Sequence, residues 1–400
     1  LGPIVNLSYS DPSVLRVARA LRIGSLRYPG GSTANSWNLS AGRWVPGHGD
    51  WAAGPTAAAG SYANNTALLP EGTFTPKAFM NGIGSTLQAP PIWNLNLVSL
   101  PDPPSQLDTL KEMAVPVEMV ELGNEDADQG GKPRGQGDPA SYLKSAVPVV
   151  ARTRALFPDA TISVIGCFGD PWAPCAAQLK AAFEGSPRLF DAVTIHQYSP
   201  SNATIMARGK SDGARRAATL MSIPPSLRQI ERKVSSTISP HVPIWLDEFN
   251  WGGDWGNVTW PGEGHGALRG LVWATYVLSA MQITADAQAV GRSGFESLDY
   301  YSLFFQPDNS WSRWASCAFV PNAADTPGDV RFDGVAQIFA HVTSVVWRHK
   351  NFTLIPAVAE QSGDCLLGAR FSSLGEPTPT VTLVLNMCDE PQPLPSSVAA

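Results

Sequence analysis

Two stretches of sequence decide the fold: Val117–Glu125, which reads VEMVELGNE, and Ile244–Trp251, which reads IWLDEFNW. Each begins as a short apolar run, typical of a strand that is covered on both faces, and each continues into carboxylates. Strands of this kind alternate with helical segments along the chain, and this alternation predicts parallel βαβ units. We count seven such strands, near residues 26, 94, 120, 163, 194, 246 and 300.

Seven strands are one short of a closed barrel. The eighth would lie upstream of the first clear strand or be the weak run Ile4–Leu7. We therefore predict an α/β fold, a (β/α)8 TIM barrel that lacks its first strand or has a weak one. The alternative is an open doubly wound sheet, but the Gly-rich phosphate turn usual after an early strand of that fold does not occur. Among the helices, we expect one over Pro225–Ile238 with proline at its start.

The character of the chain changes near its end. Phe352–Val358, Cys365–Phe371 and Thr380–Leu385 are strand-like, and no helical segment follows them. We expect residues 1–346 to form the catalytic barrel and residues 347–400 to form part of a small C-terminal β-sandwich. Three strands are too few for independent stability, so upstream segments would have to complete the sandwich.

Composition narrows the class of protein. The 400 residues include 28 Lys+Arg and 34 Asp+Glu, a net charge of −6, which argues against nucleic acid or an anionic membrane as a partner. The longest apolar stretch, Leu271–Ile283, is too short and too polar for membrane insertion. H-E-x-x-H, P-loop, G-x-S-x-G and C-x-x-C motifs do not occur, so the sequence predicts no metal and no cofactor. It gives no indication of the oligomeric state.

N-glycosylation triplets indicate the compartment. The chain begins at Leu1-Gly2-Pro3, which we interpret as a fragment or a processed form whose signal peptide would lie upstream. Six N-x-S/T triplets together favour a secreted glycoprotein, extracellular or vacuolar. They begin at Asn6, Asn38, Asn64, Asn202, Asn257 and Asn351.

Five cysteines leave the disulfide pattern open. Cys365 and Cys388 could pair, and Cys317 would then be the odd one. Cys167 and Cys175 flank one loop, where a disulfide and two buried thiols are equally consistent with the sequence.

Chemistry in a barrel enzyme lies at the C-terminal ends of the strands. Glu125 and Glu248 follow two different strands, so they can face each other across the barrel mouth. One acid that protonates a leaving oxygen and one carboxylate that attacks is the layout for glycoside cleavage. The alternative is that each of the two glutamates belongs to a buried ion pair that has a structural role only.

The Asn124-Glu125 pair and the later Glu248 resemble clan A glycoside hydrolases, which are retaining (β/α)8-barrel enzymes. The resemblance implies that Glu125 follows the fourth strand and is the acid/base, and that Glu248 follows the seventh and is the nucleophile. It also implies an oligo- or polysaccharide substrate and no cofactor.

Within that clan, the start of the chain, from Ile4 to Ser32, looks like the heparanase/β-glucuronidase family, glycoside hydrolase family 79. This implies cleavage of a β-linked uronic acid from an extracellular or cell-wall glycan by double displacement. Arg27–Gly31 and Asp247–Trp251 are also similar to α-L-arabinofuranosidases, so hydrolysis of an arabinofuranoside is the alternative. A carbohydrate-binding barrel without activity is a third possibility.

Five further residues are candidates for substrate binding. Tyr198 would hydrogen-bond the nucleophile, Arg27 would brace Glu248, and Asn124 would hold the 2-hydroxyl of the sugar. His196 lies in the same strand end, where the clan often has His-x-Tyr, and Trp251 could stack on a sugar. The predicted distance between the carboxyl groups of the two catalytic glutamates is about 5–5.5 Å.

Overall fold

A computed structural model describes residues 8–45, 72–125, 139–167, 172–185, 189–199, 212–251 and 267–300, and shorter segments between 304 and 387. The weak run Ile4–Leu7 lies outside the described residues. So do Cys317, Cys365 and Cys388.

Seven parallel strands form the main sheet of the described chain, and each pairs with the next one in sequence. Helices lie between them, so the sheet is the nearly closed wall of a (β/α)8-type barrel. The fold prediction is confirmed. The strands are β1 (Arg27–Tyr28), β2 (Ile92–Leu95), β3 (Met119–Leu122), β4 (Thr161–Ile165), β5 (Ala192–Ser199), β6 (Ile244–Trp251) and β7 (Phe295–Tyr300).

The helices form an outer layer around this sheet. They are α1 (Pro12–Leu21), α2 (Pro76–Asn81), α3 (Ser105–Glu112), α4 (Pro139–Leu156), α5 (Trp172–Glu184), α6 (Asp212–Thr237), α7 (Ala267–Gln288) and α8 (Gly334–Arg348). The last and first helices are neighbours, because Thr343 Oγ1 of α8 donates a hydrogen bond of 2.8 Å to the carbonyl of Leu21. The helical layer therefore brings the two ends of the sheet together.

Side chains that point into the barrel form layers, because inward positions in a strand are two residues apart. The bottom layer is apolar and contains Ile92, Met119, Ala192 and Trp245. Two residues further along the same strands, the next layer is polar and contains Asn94, Glu121, Thr194 and Asp247. The apolar layer closes the bottom of the barrel, and the polar layer lies between it and the side chains at the barrel mouth.

The first strand is held by aromatic packing on its outer face. The ring of Tyr28 contacts Tyr9, Phe79 and Trp93 at centroid distances of 5.9, 4.7 and 5.6 Å. Because successive side chains in a strand point to opposite faces, Arg27 points to the barrel interior.

A three-stranded antiparallel sheet follows α8: β8 (Phe352–Pro356), β9 (Leu366–Ser373) and β10 (Val381–Asn386). It contacts α7, and Leu385 and Met387 are buried in the same core as the barrel. The predicted strands are present. Their membership of a sandwich and the boundary at 346/347 stay predictions.

Cys167 and Cys175 form a disulfide, with 5.8 Å between their Cα atoms, so the alternative of two free thiols is wrong.

None of the helices in the described part of the chain has both the length and the apolar character to cross a membrane.

Candidate active site

Arg27 lies at the centre of the barrel mouth and connects two strand ends. Its Nε and Nη2 atoms donate to the two carboxylate oxygens of Glu121, at 2.5 and 2.7 Å. Nη2 also donates to Asn124 Oδ1 at 2.8 Å, and Nη1 donates to Glu248 Oε1 at 2.6 Å. One rigid guanidinium thus fixes residues from β3 and β6 relative to each other.

The charge around this arginine is unbalanced. Besides Glu121 and Glu248, the carboxylate of Asp247 lies 3.6 Å from Arg27 Nε. Burial and the nearby charge of Asp247 raise the pKa of Glu121 to about 8, although Arg27 opposes the shift. Burial and Asp247 likewise raise the pKa of Asp299 in β7 to about 7. The described interior therefore holds more carboxyl groups than its cations can keep ionised.

Glu248 is the exception, because three neighbours favour its charged form. Burial by itself would raise the pKa of Glu248, but the positive charges of His196 and Arg27 and the hydrogen bond from Tyr198 lower it. The Tyr198 hydroxyl donates to Glu248 Oε2 at 2.7 Å. A buried carboxylate that stays ionised and keeps a defined orientation is suited to nucleophilic attack.

A β-bulge in β6 explains how two consecutive acids enter the same site. Ile195 pairs with Leu246, but the next residue, His196, pairs with Glu248, so Asp247 is an extra residue in β6. In a regular strand, consecutive side chains would point to opposite faces. The bulge keeps Asp247 in the polar interior layer and brings Glu248 beside His196 in the layer above.

Glu125 has a more open environment at the end of β3. Its backbone is in the left-handed region, with φ of 55°, directly after Gly123 with φ of 84° and Asn124. Asn35 holds this turn from outside: Asn35 Nδ2 donates to the Asn124 carbonyl at 2.8 Å, and Asn124 N donates to Asn35 Oδ1 at 3.1 Å. The turn directs Glu125 to the mouth, where a carboxylate oxygen lies within 4.8 Å of one of Glu248.

His196 lies between the two glutamates. Its Nδ1 atom is 2.7 Å from Glu125 Oε1 and 3.4 Å from Glu248 Oε2, and its Nε2 atom is 3.5 Å from Asp247 Oδ1. Burial would lower the pKa of His196, but the three carboxylates together raise it well above its usual value. The three carboxylates therefore favour the cationic form of the imidazole.

Two sets of side chains have the residue types of a metal site: Glu121, His196 and Asp247, and Glu125, His196 and Glu248. Both sets share His196, and a metal requires a neutral imidazole. Because Arg27 already binds Glu121 and Glu248, a metal ion in either set would lie beside the positive charge of the guanidinium, which disfavours it.

The structure brings most of the predicted residues together. Six of the seven meet in one network: Arg27, Asn124, Glu125, His196, Tyr198 and Glu248. The seventh, Trp251, ends β6, and its side chain lies outside the described residues.

Sequence reasoning missed the residues that support this network. Asn35 holds the turn before Glu125, Asp247 lies below Glu248 beside the bulge, and Asn94 Nδ2 donates to Glu121 Oε2. The sequence did contain a signal for Asn94 and its partner Glu121. Both are polar residues that interrupt apolar strands, and they pair in register. For Asn35, in a short 3-10 helix (Gly31–Ser36) after β1, the sequence offers no comparable signal.

Comparison with known proteins gives a likeness in fold. No protein-family model matches the chain, and no curated protein matches its sequence. Among solved structures, it is similar to a family 51 α-L-arabinofuranosidase from Bifidobacterium longum, with a TM-score of 0.58 and 14% identity over 89% of this chain and 72% of that one. It is also similar to the family 51 enzyme of Thermotoga petrophila, with a TM-score of 0.58 and 14% identity over 94% and 72%.

A third similar structure is the α-L-arabinofuranosidase from Thermotoga maritima in complex with arabinose, with a TM-score of 0.54 and 15% identity over 94% of this chain and 67% of that one. At such low identity, the likeness establishes the (β/α)8-barrel fold that this chain shares with these proteins.

Proposed function

We propose that this protein is a retaining O-glycoside hydrolase that acts on an oligo- or polysaccharide. The observation that carries the proposal is the approach of Glu125 and Glu248 from two strand ends, with carboxylate oxygens within 4.8 Å. Retaining enzymes have carboxyl groups about 5–5.5 Å apart, whereas inverting enzymes need about 6.5–9.5 Å to admit a water. The observed approach supports the shorter, retaining arrangement.

In the first step, Glu248 attacks the anomeric carbon and Glu125 protonates the leaving oxygen, so a glycosyl ester forms on Glu248. In the second step, Glu125 takes a proton from water, which attacks the same carbon and releases Glu248. The assignment of roles follows from the surroundings. Arg27 and Tyr198 hold Glu248 ionised, and Glu125 lies closer to solvent, where water and the leaving group arrive.

Asn124 and Arg27 position the substrate and the nucleophile in this mechanism. The Asn124 side chain accepts from Arg27 through Oδ1, so its amide N–H groups are the part that would donate to a ligand hydroxyl. A hydrogen bond to the 2-hydroxyl strengthens in the transition state. Arg27 meanwhile keeps Glu248 from rotating away from the sugar.

A carbohydrate-binding barrel without activity is a weaker explanation of these contacts. Burying an ionised carboxylate is costly unless several groups stabilise it. Glu248 is buried and stabilised by three groups, and binding of a neutral sugar requires no such ionised group.

For the sugar itself, we propose a neutral glycone, with an α-L-arabinofuranoside as the first candidate. The likeness in fold to α-L-arabinofuranosidases and the Asp247–Trp251 stretch both support it. The two cations of the described site, Arg27 and His196, both already contact carboxylates of the protein, so neither is reserved for the carboxylate of a uronic acid. A β-glucuronide, favoured by the resemblance at the start of the chain, is the competing substrate.

The test is hydrolysis of a panel of aryl glycosides by the wild type and by Glu248→Gln. We expect turnover of an aryl α-L-arabinofuranoside above that of an aryl β-glucuronide, and loss of all turnover in Glu248→Gln with unchanged circular dichroism. Turnover in the folded variant would refute the mechanism. A preference for the glucuronide would refute only the choice of sugar.

We also propose that the protein is secreted. The Cys167–Cys175 disulfide supports this, because disulfides persist mainly in oxidising compartments. The experiment is mass analysis of the protein from its native source. Glycans on the N-x-S/T triplets are expected, and their complete absence together with free thiols would contradict secretion.

A further inference from the structure

Asp247 has no role in the two-step mechanism, yet it is buried directly below the catalytic pair. Its side chain touches three partners. Thr194 Oγ1 donates to Asp247 Oδ2 at 3.2 Å, Arg27 Nε lies 3.6 Å from the same oxygen, and His196 Nε2 lies 3.5 Å from Asp247 Oδ1. A charged side chain in this position is costly to bury, which suggests a specific use.

The contact with His196 gives the clearest indication of that use. An imidazole has two nitrogens, and a carboxylate close to one of them favours the doubly protonated form of the ring; at 3.5 Å, Asp247 acts on His196 through its charge. Here Asp247 is at Nε2, and Nδ1 points to Glu125 and Glu248. The β-bulge is what allows this arrangement, since it places Asp247 behind the ring and Glu248 in front of it.

We propose that Asp247 is a positioning residue, which holds His196 in its cationic form so that one N–H group orients both catalytic carboxylates. The inference rests on the proposed function. In this arrangement His196 keeps Glu125 near the leaving group and adds to the charge that keeps Glu248 ionised. Loss of the imidazole proton would release both.

The charged groups around His196 come from three strands. They are Arg27 from β1, Glu121 and Glu125 from the strand and turn of β3, and Asp247 and Glu248 from β6. The carboxylates raise the pKa of His196 and outweigh its burial. Removal of the charge of Asp247 must therefore lower this pKa, and activity that needs the cation must be lost at a lower pH.

The experiment combines kinetics with a readout that needs no turnover. In Asp247→Asn, which keeps the size and an acceptor but loses the charge, we expect kcat to fall about 10- to 100-fold, with a smaller change in KM. The alkaline limb of the pH profile of kcat/KM should move to lower pH by about one unit. NMR titration of the His196 ring, assigned by comparison with His196→Gln, should show the same displacement.

A double mutant tests whether Asp247 acts through His196. In the His196→Gln background, Asp247→Asn should cause no further displacement of the alkaline limb. Ser163→Ala is the matched control: it removes a buried hydroxyl that bonds Thr194, at 2.6 Å between the oxygens, and should leave the limb in place.

Three results would overturn the inference: an unchanged His196 titration in Asp247→Asn, a displacement of equal size in Ser163→Ala, or a wild-type His196 that titrates at or below its usual pKa. The titration of His196 in the wild type can be measured even if the variants do not fold. Failure of the proposed function can be distinguished from failure of this inference. Turnover by Glu248→Gln would refute the mechanism, whatever the titration of His196 shows.

Discussion

The ends of β3 and β6 carry the same residue type in opposite surroundings. Glu248 at β6 has a side chain that is 6% exposed and is bound by Arg27 and Tyr198, whereas Glu125 after β3 is 31% exposed and contacts His196. The backbone differs as well, with a β-bulge at Asp247 and a left-handed turn at Glu125. Two glutamates with such different environments are suited to different tasks, one to stay ionised and the other to exchange a proton with the substrate.

This comparison also shows where Arg27 and His196 act, since each contacts groups of both β3 and β6. Arg27 and His196 both stabilise the charge of Glu248, and the cost is a surplus of carboxyl groups below, seen in the raised pKa of Glu121 and Asp299. The site therefore stabilises the charged form of Glu248 strongly and the charged forms of Glu121 and Asp299 poorly.

The largest expected effect concerns the role of Glu125. Glu125→Gln should lower kcat/KM by about 10²- to 10⁴-fold on substrates with a poor leaving group, because general acid catalysis is lost. On an aryl glycoside whose leaving group needs no proton, formation of the glycosyl-enzyme should be little affected. The measurement is a series of aryl glycosides of increasing leaving-group pKa.

The matched control is Glu118→Gln, at an exposed position before β3. It should leave the whole series unchanged. A fall in Glu125→Gln that is equal for all leaving groups would show that Glu125 has a structural role only.

The second prediction concerns Arg27, which connects the two strand ends. Arg27→Met should lower the free energy of unfolding by about 3–5 kcal/mol, because it leaves buried carboxylates without their partner. Urea denaturation measures it. Arg154→Met breaks a partly exposed ion pair with Asp191 and should cost about 1 kcal/mol or less. Equal losses in the two variants would contradict the central position of Arg27.

The third prediction is a pH dependence of stability. Glu121 and Asp299 have pKa values of about 8 and 7 in the folded protein, above those of the unfolded chain, and the pKa of His196 is also raised. Between pH 5 and pH 8 the folded state therefore binds more protons than the unfolded state, so stability falls as pH rises. We expect a loss of about 1 kcal/mol or more over this interval.

The measurement is urea denaturation at pH 5, 6.5 and 8. The lowered pKa of Glu248 acts in the opposite direction only at more acidic pH. Greater stability at pH 8 than at pH 5 would mean that the interior carboxyl groups are ionised throughout.

The smallest expected effect is that of the Tyr198 hydroxyl. A hydrogen bond to a charged group contributes about 1.5–3 kcal/mol, so Tyr198→Phe should lower kcat/KM about 10- to 100-fold. Because Tyr198 helps to lower the pKa of Glu248, the acidic limb of the profile should move to higher pH. Tyr142→Phe, which removes a buried hydroxyl bonded to the Leu122 carbonyl, should leave that limb in place.

The parts of the fold that sequence predicted are those set by local pattern. Apolar runs indicated all seven barrel strands of the described residues, and a carboxylate at the end of such a run led directly to Glu125 and Glu248. The helix expected over Pro225–Ile238 is an instructive error. It begins at Asp212 and includes Pro224 and Pro225, so proline did not mark its start in this case.

The supporting residues could not be predicted because they depend on register. Asp247 lies two residues after the inward-facing Trp245, but Glu248 enters the interior beside it only through a bulge, and regular alternation would have placed Glu248 on the outer face. Asn35 meets the turn before Glu125 from 89 residues away. Such contacts arise from tertiary packing, for which a single sequence contains no periodic signal.

The central claim is that Glu248 attacks the sugar and Glu125 serves as acid and then base. It is tested most directly by proton NMR of the first-formed sugar during hydrolysis of an aryl glycoside, before mutarotation. Double displacement predicts that the product has the same anomeric configuration as the substrate. A product of inverted configuration would contradict the account, because a single displacement by water would leave Glu248 without its role as nucleophile.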